Sequence, residues 1–280
     1  MNTLYDKGFD KANPNHILIL CGDLFDRGTE SVKLFNLVKE LDDRFIYVRG
    51  NHEDLLEDCL REMERHLSVS SHHKSNGTLD TINQFLFEEY GNDYNQLKFE
   101  AFNTYFNSNN TDRTKLDTFF KPIHNVVDWI NKKSINYFEL GDYIFVHGWI
   151  PKKPYDNTSY YYFGIGREGG KYYEDWRKAD TDSWNQARWL NGMEECIRYG
   201  VKEVKKTIVC GHWHCSWYWS HIKQQHEEFP PKNRLDWELS FQPAFFDGGI
   251  AIDACTAYSN LVNILVFDEV EKNSIKLKQN

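Results

Sequence analysis

The sequence lacks any apolar run of about 18 residues, the minimum for a membrane-spanning helix. It also lacks a segment with signal-peptide architecture. Its cysteines are scattered, a pattern that predicts reduced thiols in a soluble chain of this size. We therefore expect a cytoplasmic protein with no membrane partner. The six cysteines are Cys21, Cys59, Cys196, Cys210, Cys215 and Cys255.

An excess of positive charge is also absent. Lysine and arginine number 33 against 42 aspartate and glutamate residues, so the formal net charge is -9. A broad nucleic-acid surface or an anionic membrane would repel such a chain, and we predict neither as a partner. The 280 residues are 40% hydrophobic, which allows one large α/β domain or two small ones.

Zinc-finger spacing is missing as well. The segment CGHWHC (210–215) places His212 and His214 too close together for a finger, and no second cysteine pair lies near them. We interpret Cys210 and Cys215 as packing residues.

The first quarter of the chain alternates between apolar runs typical of strands and segments with helical periodicity. The apolar run HILILC (16–21) predicts a buried strand, and Thr29 is suited to cap a helix that continues to about residue 42. RFIYVRGN (44–51) predicts the next strand, and EDLLEDCLREMERHL (53–67) the next helix. Strand, helix, strand and helix with short links indicate a βαβ arrangement.

Residues 68–135 interrupt this rhythm. SVSSHHKSNGT (68–78) predicts a polar loop, and helix-like segments follow it. We interpret 68–135 as a helical insertion within a single domain of residues 1–280. Beyond it, YFELGDYIFVHG predicts a hairpin that turns at Gly141 and Asp142, and a helix is expected near 182–199.

Polar residues follow four of the apolar runs. Ligands of open α/β sheets gather at the carboxyl ends of strands, so these clusters can meet in one crevice. Aspartate, asparagine and histidine suit divalent metals that favour mixed nitrogen and oxygen sites. Taken singly, each cluster has an alternative interpretation as an ordinary turn or a hydrogen-bonded loop. The clusters are Asp23, Asp26 and Arg27; Arg49, Asn51 and His52; His147; and His212 with His214.

The motifs GDLFDRG (22–28), RGNHED (49–54), VHG (146–148) and CGHWH (210–214) occur in this order. With them the chain resembles the calcineurin-like metallophosphoesterases, and among these the bacterial and phage-type serine/threonine phosphoprotein phosphatases. The resemblance implies an α/β fold with two mixed β-sheets in a sandwich flanked by helices.

The resemblance also implies two divalent metal ions about 4 Å apart. Asp23 would bridge them, His214 would reach the first ion, and Asn51, His147 and His212 would hold the second. Manganese is the expected metal, with iron, zinc or nickel as alternatives.

Roles for the remaining residues follow from the same resemblance. His52, oriented by Asp26, would protonate the leaving alkoxide as general acid. Arg27 and Arg49 would hold phosphate oxygens, because a planar guanidinium matches them. Arg188 is a third candidate for phosphate binding, with a surface helix arginine as the alternative interpretation.

The resemblance implies hydrolysis of phosphomonoesters by metal-bound hydroxide, with phosphoserine or phosphothreonine proteins, or a small phosphoester, as substrate. One alternative is a dinucleoside polyphosphate hydrolase, which shares these motifs. Another is a catalytically impaired protein that only binds phosphate.

One family motif is missing from the sequence. An Asp-x-His strand precedes Gly-Asp-x-x-Asp-Arg-Gly in the family, and this chain has no Asp-x-His. The chain therefore resembles an N-terminally truncated member. On this interpretation we expect the 280-residue chain to bind about one metal ion tightly and to hydrolyse esters slowly.

Overall fold

The structure is a computed structural model, and it describes residues 2–66, 68–153, 173–224, 239–271 and 274–278. Ten α-helices lie in these ranges: α1 (Asn2–Asp6), α2 (Ser31–Leu41), α3 (Asn51–Arg65), α4 (Ser71–Asn76), α5 (Thr78–Tyr90), α6 (Tyr94–Asn107), α7 (Thr114–Lys133), α8 (Thr181–Ala187), α9 (Gly192–Ile197) and α10 (Thr256–Ser259). Among the described residues, no helix is both long enough and apolar enough to cross a membrane.

The same ranges contain ten strands: β1 (Leu18–Cys21), β2 (Phe45–Val48), β3 (Ser134–Ile135), β4 (Phe138–Leu140), β5 (Tyr143–Phe145), β6 (Thr207–Cys210), β7 (Ala244–Phe246), β8 (Gly249–Ala251), β9 (Val266–Glu271) and β10 (Ser274–Lys278).

The chain forms two compact units. Unit 1 comprises Met1–Gly22, Ile46–Asn51 and Ile135–Asn280, and unit 2 comprises Asp23–Phe45 and His52–Ser134. The chain therefore passes from one unit to the other directly after Gly22 and again directly after Asn51. The single domain of residues 1–280 with an insertion over 68–135 stays a prediction.

The described residues form three sheets, and the largest of them is mixed, as expected. The smallest pairs β10 with β9 antiparallel. A five-stranded sheet has the order β4-β5-β6-β8-β7, and a three-stranded sheet has the order β1-β2-β3. In the larger sheet β5, β6 and β8 are parallel, whereas β4 and β7 are antiparallel to their neighbours. The hairpin that turns at Gly141 and Asp142 is confirmed as the β4–β5 pair. Sheets with flanking helices confirm the predicted α/β class.

The apolar faces of the strands form the core of unit 1. Cys21 and Val48 of the three-stranded sheet are buried in one cluster with Phe145, Val209 and Ile250 of the five-stranded sheet. Cys210 and Cys215 are buried free thiols, and burial raises the pKa of both. The prediction that these two cysteines are packing residues is confirmed.

Unit 2 is a helical layer that packs through aromatic rings. Phe25, Phe35 and Phe85 contact one another with ring centroids 5.5 to 6.1 Å apart. Pro122 lies inside α7 and has no N–H to donate to the carbonyl of Thr118. The hydroxyl of Tyr90 donates to that carbonyl at 3.0 Å, so the carbonyl has a hydrogen-bond donor from the neighbouring helix.

Three sequence predictions of local structure are wrong. The expected polar loop 68–78 contains α4 and the start of α5, joined at Gly77 with φ +81°. Thr29 does not cap α2, which begins at Ser31 after Glu30. The single helix expected near 182–199 is two helices, because Asn191 caps a new one by accepting from the N–H of Glu194 at 3.2 Å.

Gly22 is required where β1 ends. Its φ is +84°, and a Cβ there would lie 2.2 Å from Nδ1 of His147 and 2.8 Å from Cα of Gly50. Gly200 also has a positive φ, +69°, but no atom of the described residues lies within 4 Å of a Cβ built on it. A side chain would strain the backbone at both glycines, but only at Gly22 would it also collide with neighbouring atoms.

We predict that Gly22→Ala lowers the free energy of unfolding more than Gly200→Ala does. Both changes carry the strain of a left-handed residue, about 1–2 kcal/mol. At Gly22 alone the new methyl group overpacks the interior, which adds about 1–3 kcal/mol. Urea denaturation of the two variants measures the difference. Equal losses would contradict the close approach of Gly22 to His147.

Candidate functional site

Asn51 and His147 come together in unit 1. Asn51 starts α3 just beyond β2, and His147 follows β5; both are buried, at 2% exposure each. Nδ1 of His147 lies 2.7 Å from the carbonyl oxygen of Cys21, and Nε2 lies 2.8 Å from Oδ1 of Asn51. The last residue of β1 therefore orients the imidazole toward the asparagine.

The donor chemistry of this contact fits a cation. A carbonyl oxygen only accepts, so Nδ1 of His147 must donate its proton to Cys21. Nε2 then faces the side-chain amide of Asn51, whose NH2 group can donate to it and whose oxygen can bind a cation beside it. A backbone carbonyl on the far nitrogen is also the usual support of a metal-binding histidine.

His212 joins the same group. Its ring centroid lies 5.0 Å from that of His147. It also lies 5.8 Å from the ring centroid of Trp189, in an edge-to-face arrangement. The loop after β6 is fixed at this point, because Gly211 donates its N–H to the carbonyl of His147 at 2.8 Å. His212 has φ +62°, a conformation that costs energy in a non-glycine residue and is common at functional sites. Unit 1 thus brings Asn51, His147 and His212 together.

His214 is placed differently. Its ring lies beside that of Phe241, with centroids 6.3 Å apart, and its carbonyl accepts the N–H of Trp217 at 3.0 Å. Its place in a metal shell stays a prediction.

Unit 2 holds the loop after β1 in an unusual conformation. Asp23, Asp26 and Arg27 have φ values of +55°, +76° and +58°. Glu53, only 1% exposed, accepts the N–H of Asp23 at 3.1 Å and the N–H of Leu24 at 2.9 Å. Nothing in the sequence indicated this role of Glu53, because a glutamate in the first turn of a helix is ordinarily a solvent-exposed residue.

His52 and Asp26 form a buried pair. Nδ1 of His52 lies 2.6 Å from Oδ2 of Asp26, and the two side chains are 7% and 1% exposed. The N–H of His52 donates to Oδ1 of Asp23 at 3.1 Å. Burial alone would lower the pKa of His52, but the charge of Asp23 and the hydrogen bond with Asp26 outweigh it and raise that pKa.

Two threonines of α5 complete the surroundings of Asp26. The hydroxyl of Thr78 donates to Oδ2 of Asp26 at 2.7 Å, and that of Thr81 donates to Oδ1 at 2.8 Å. Neither threonine was predicted as a site residue, because both lie in or next to the segment expected to be a polar loop. The signal available was the Asn-Gly-Thr sequence before a helical pattern, which is typical of a helix start.

The three arginines predicted to bind phosphate differ in their exposure and in their hydrogen-bond partners. Arg27 is exposed, and its Nη2 donates to Oδ1 of Asn76 at 2.6 Å. Arg49 is half-buried, and its N–H donates to the carbonyl of Ile135 at 2.8 Å. Arg188 is 6% exposed and donates to Asn136 at 2.8 Å and Asn185 at 2.7 Å. The alternative of a surface arginine at 188 is therefore wrong, while phosphate binding by the three stays a prediction.

The comparison with protein families agrees with this chemistry. A model of the calcineurin-like phosphoesterase family matches residues 1–216, so the chain belongs to that family. Membership assigns it to the metal-dependent phosphoester hydrolases. Neither the curated proteins nor the solved structures gave a significant match to the chain.

We predict that alanine at Asn51, His147 or His212 lowers the metal content of the purified protein. Each change removes one donor atom from a shared ion, and loss of supporting partners alone costs about 10–100-fold in metal affinity. Elemental analysis after dialysis against a fixed concentration of Mn²⁺ measures this. His221→Ala is the matched control, because His221 is exposed and stacks on Trp217. Full occupancy in His147→Ala would contradict the assignment.

Proposed function

We propose that the protein is a serine/threonine phosphoprotein phosphatase in which His52 protonates the leaving alkoxide. The observation that supports this best is the buried contact of 2.6 Å between His52 Nδ1 and Asp26 Oδ2. Asp26 accepts a hydrogen bond from Nδ1 of His52 and fixes the ring, which leaves Nε2 available to hold the proton that the leaving group needs.

The candidate substrates differ in how much their leaving groups need a proton from a general acid. A serine or threonine alkoxide is a poor leaving group and gains much from a proton in the transition state. Hydrolysis of a polyphosphate releases a phosphate group, which leaves readily as an anion. A protein that only binds phosphate has no use for a leaving-group acid. The His52–Asp26 pair therefore favours a phosphomonoesterase over a dinucleoside polyphosphate hydrolase or a catalytically impaired binding protein.

The proposal assigns Asn51, His147 and His212 to one divalent ion. Asp23 follows Gly22 directly in the chain, and we propose it as the ligand shared with a second ion, which His214 also reaches. When bound, two divalent ions would neutralise phosphoryl charge and lower the pKa of a water molecule so that it can act as nucleophile. Manganese suits this mixed oxygen and nitrogen set, as would iron, zinc or nickel.

The remaining residues bind and orient the substrate. We propose that Arg27, Arg49 and Arg188 hold phosphate oxygens, because a guanidinium donates in the fork geometry that phosphate accepts. Asp26 orients His52, and Glu53 holds the backbone of the loop that carries both Asp23 and Asp26. The six buried free cysteines support our proposal of a reducing, cytoplasmic location.

The first test replaces the acid. His52→Ala should lower turnover of a phosphoserine peptide by about 10²–10⁴-fold, the usual contribution of a general acid. Turnover of p-nitrophenyl phosphate should fall much less, because p-nitrophenolate leaves without a proton. His66→Ala is the matched control, since His66 is exposed just beyond the end of the same helix. Equal losses on the two esters would remove His52 from this role.

The second test compares substrates. With Mn²⁺ present, we expect the protein to hydrolyse a phosphoserine or phosphothreonine peptide with a higher kcat/KM than diadenosine tetraphosphate. Release of inorganic phosphate from the peptide and of nucleotides from the dinucleotide measures the two reactions. A preference for the dinucleotide would favour the polyphosphate hydrolase, and phosphate binding without turnover would favour the binding protein.

A further inference from the structure

The segment from Asn76 to Thr81, which we call the α4–α5 junction, contacts the loop that carries the acid–base pair. It consists of the end of α4, Gly77 and the first turn of α5, all within unit 2. Both Thr78 and Thr81 are fully buried, at 0% exposure. Buried hydroxyl groups in a helical unit need a partner. Both hydroxyl groups contact Asp26, and that of Thr81 also lies 3.3 Å from the carbonyl oxygen of Gly77.

The carboxylate of Asp26 is held from three sides. Oδ2 accepts from Thr78 at 2.7 Å and lies 2.6 Å from Nδ1 of His52, while Oδ1 accepts from Thr81 at 2.8 Å. The Thr81 hydroxyl also accepts the N–H of Asp26 at 3.2 Å. Both the plane of the carboxylate and its backbone are therefore fixed by α5. Since His52 takes its orientation from that carboxylate, the two threonines fix the direction of Nε2.

The rest of the junction fixes the backbone beside Asp26. Gly77 has φ +81°, and a Cβ there would lie 2.5 Å from the backbone nitrogen of Arg27. The next contact is the bond of 2.6 Å from Arg27 to Asn76. Asp26 and Arg27 both have positive φ, a conformation that persists only where the surrounding structure determines it. The junction supplies that constraint.

We infer that Thr78 and Thr81 are positioning residues, which set the geometry of the leaving-group acid through Asp26. This inference rests on the proposed role of His52. It gives the helices after residue 68 a part in the reaction: the first turn of α5 supports the acid–base pair. A misplacement of about 1 Å in a catalytic group can cost about 100-fold in rate, so the effect on turnover should be large.

The test is the double variant Thr78→Val with Thr81→Val, which keeps the β-branched shape and removes both hydroxyl groups. We expect it to lower kcat for a phosphoserine peptide by about 10–100-fold, as loss of outer hydrogen-bond partners does elsewhere. The kcat for p-nitrophenyl phosphate should change much less, and KM for both esters should change little. Thr78→Ser with Thr81→Ser restores the hydroxyl groups and should restore peptide turnover.

A mutant cycle distinguishes positioning from general damage. In a His52→Ala background the two valines should cause no further loss on the peptide, because they act only through His52. Thr118→Val is the matched control: Thr118 is exposed on α7, and its hydroxyl bonds the carbonyl of Thr114. If circular dichroism shows that the double variant does not fold, the same measurements are made on each single valine variant.

Three outcomes would overturn the inference. Equal losses on both esters would show a structural effect, and unchanged peptide turnover would show that the hydroxyl groups are dispensable. Additive losses in the His52→Ala background would show that the threonines act by another route. If His52→Ala itself fails to discriminate between the two esters, the proposed acid and this inference fall together. If His52→Ala discriminates and the valine variants do not, the inference alone fails.

Discussion

The site of unit 1 depends on the contact of 2.8 Å between Nε2 of His147 and the side-chain amide of Asn51. The carbonyl of Cys21 orients the imidazole for this contact, because it accepts the N–H at Nδ1. Gly22 then lets the backbone pass beside the imidazole without a side chain in the way. Three separate strand ends, those of β1, β2 and β5, therefore converge on one histidine ring.

The His52–Asp26 pair of unit 2 depends on a different constraint, the strained backbone of the loop after β1. A loop with left-handed residues at Asp23, Asp26 and Arg27 is unfavourable by itself, and each residue of this kind costs on the order of 1–3 kcal/mol. Glu53 accepts two of its N–H groups, and Thr78 and Thr81 hold the Asp26 carboxylate. The strain is therefore balanced by hydrogen bonds to α3 and α5 that aim His52.

The residues of the site were easier to predict than the elements that hold them. Asn51, His147 and His212 follow apolar strands, and strand ends are visible as the point where an apolar run stops. The α4 helix has the sequence SHHKSN, which has no apolar periodicity, so nothing in it indicated a helix. Gly77 looked like a loop residue, whereas it joins two helices against the Arg27 backbone. Tertiary contacts determine the conformation at these positions, and a local sequence pattern carries no information about such contacts.

The proposal that His147 and Asn51 bind one divalent ion has a direct test. A crystal structure of the protein grown with Mn²⁺, with anomalous data collected at the manganese edge, would locate the ion. We expect an anomalous peak within about 2.0–2.3 Å of both His147 Nε2 and Asn51 Oδ1, at bonding distance for nitrogen and oxygen ligands. We also expect Nδ1 of His147 to donate still to the carbonyl of Cys21. A manganese site elsewhere, with His147 and Asn51 still in direct contact, would contradict the proposal.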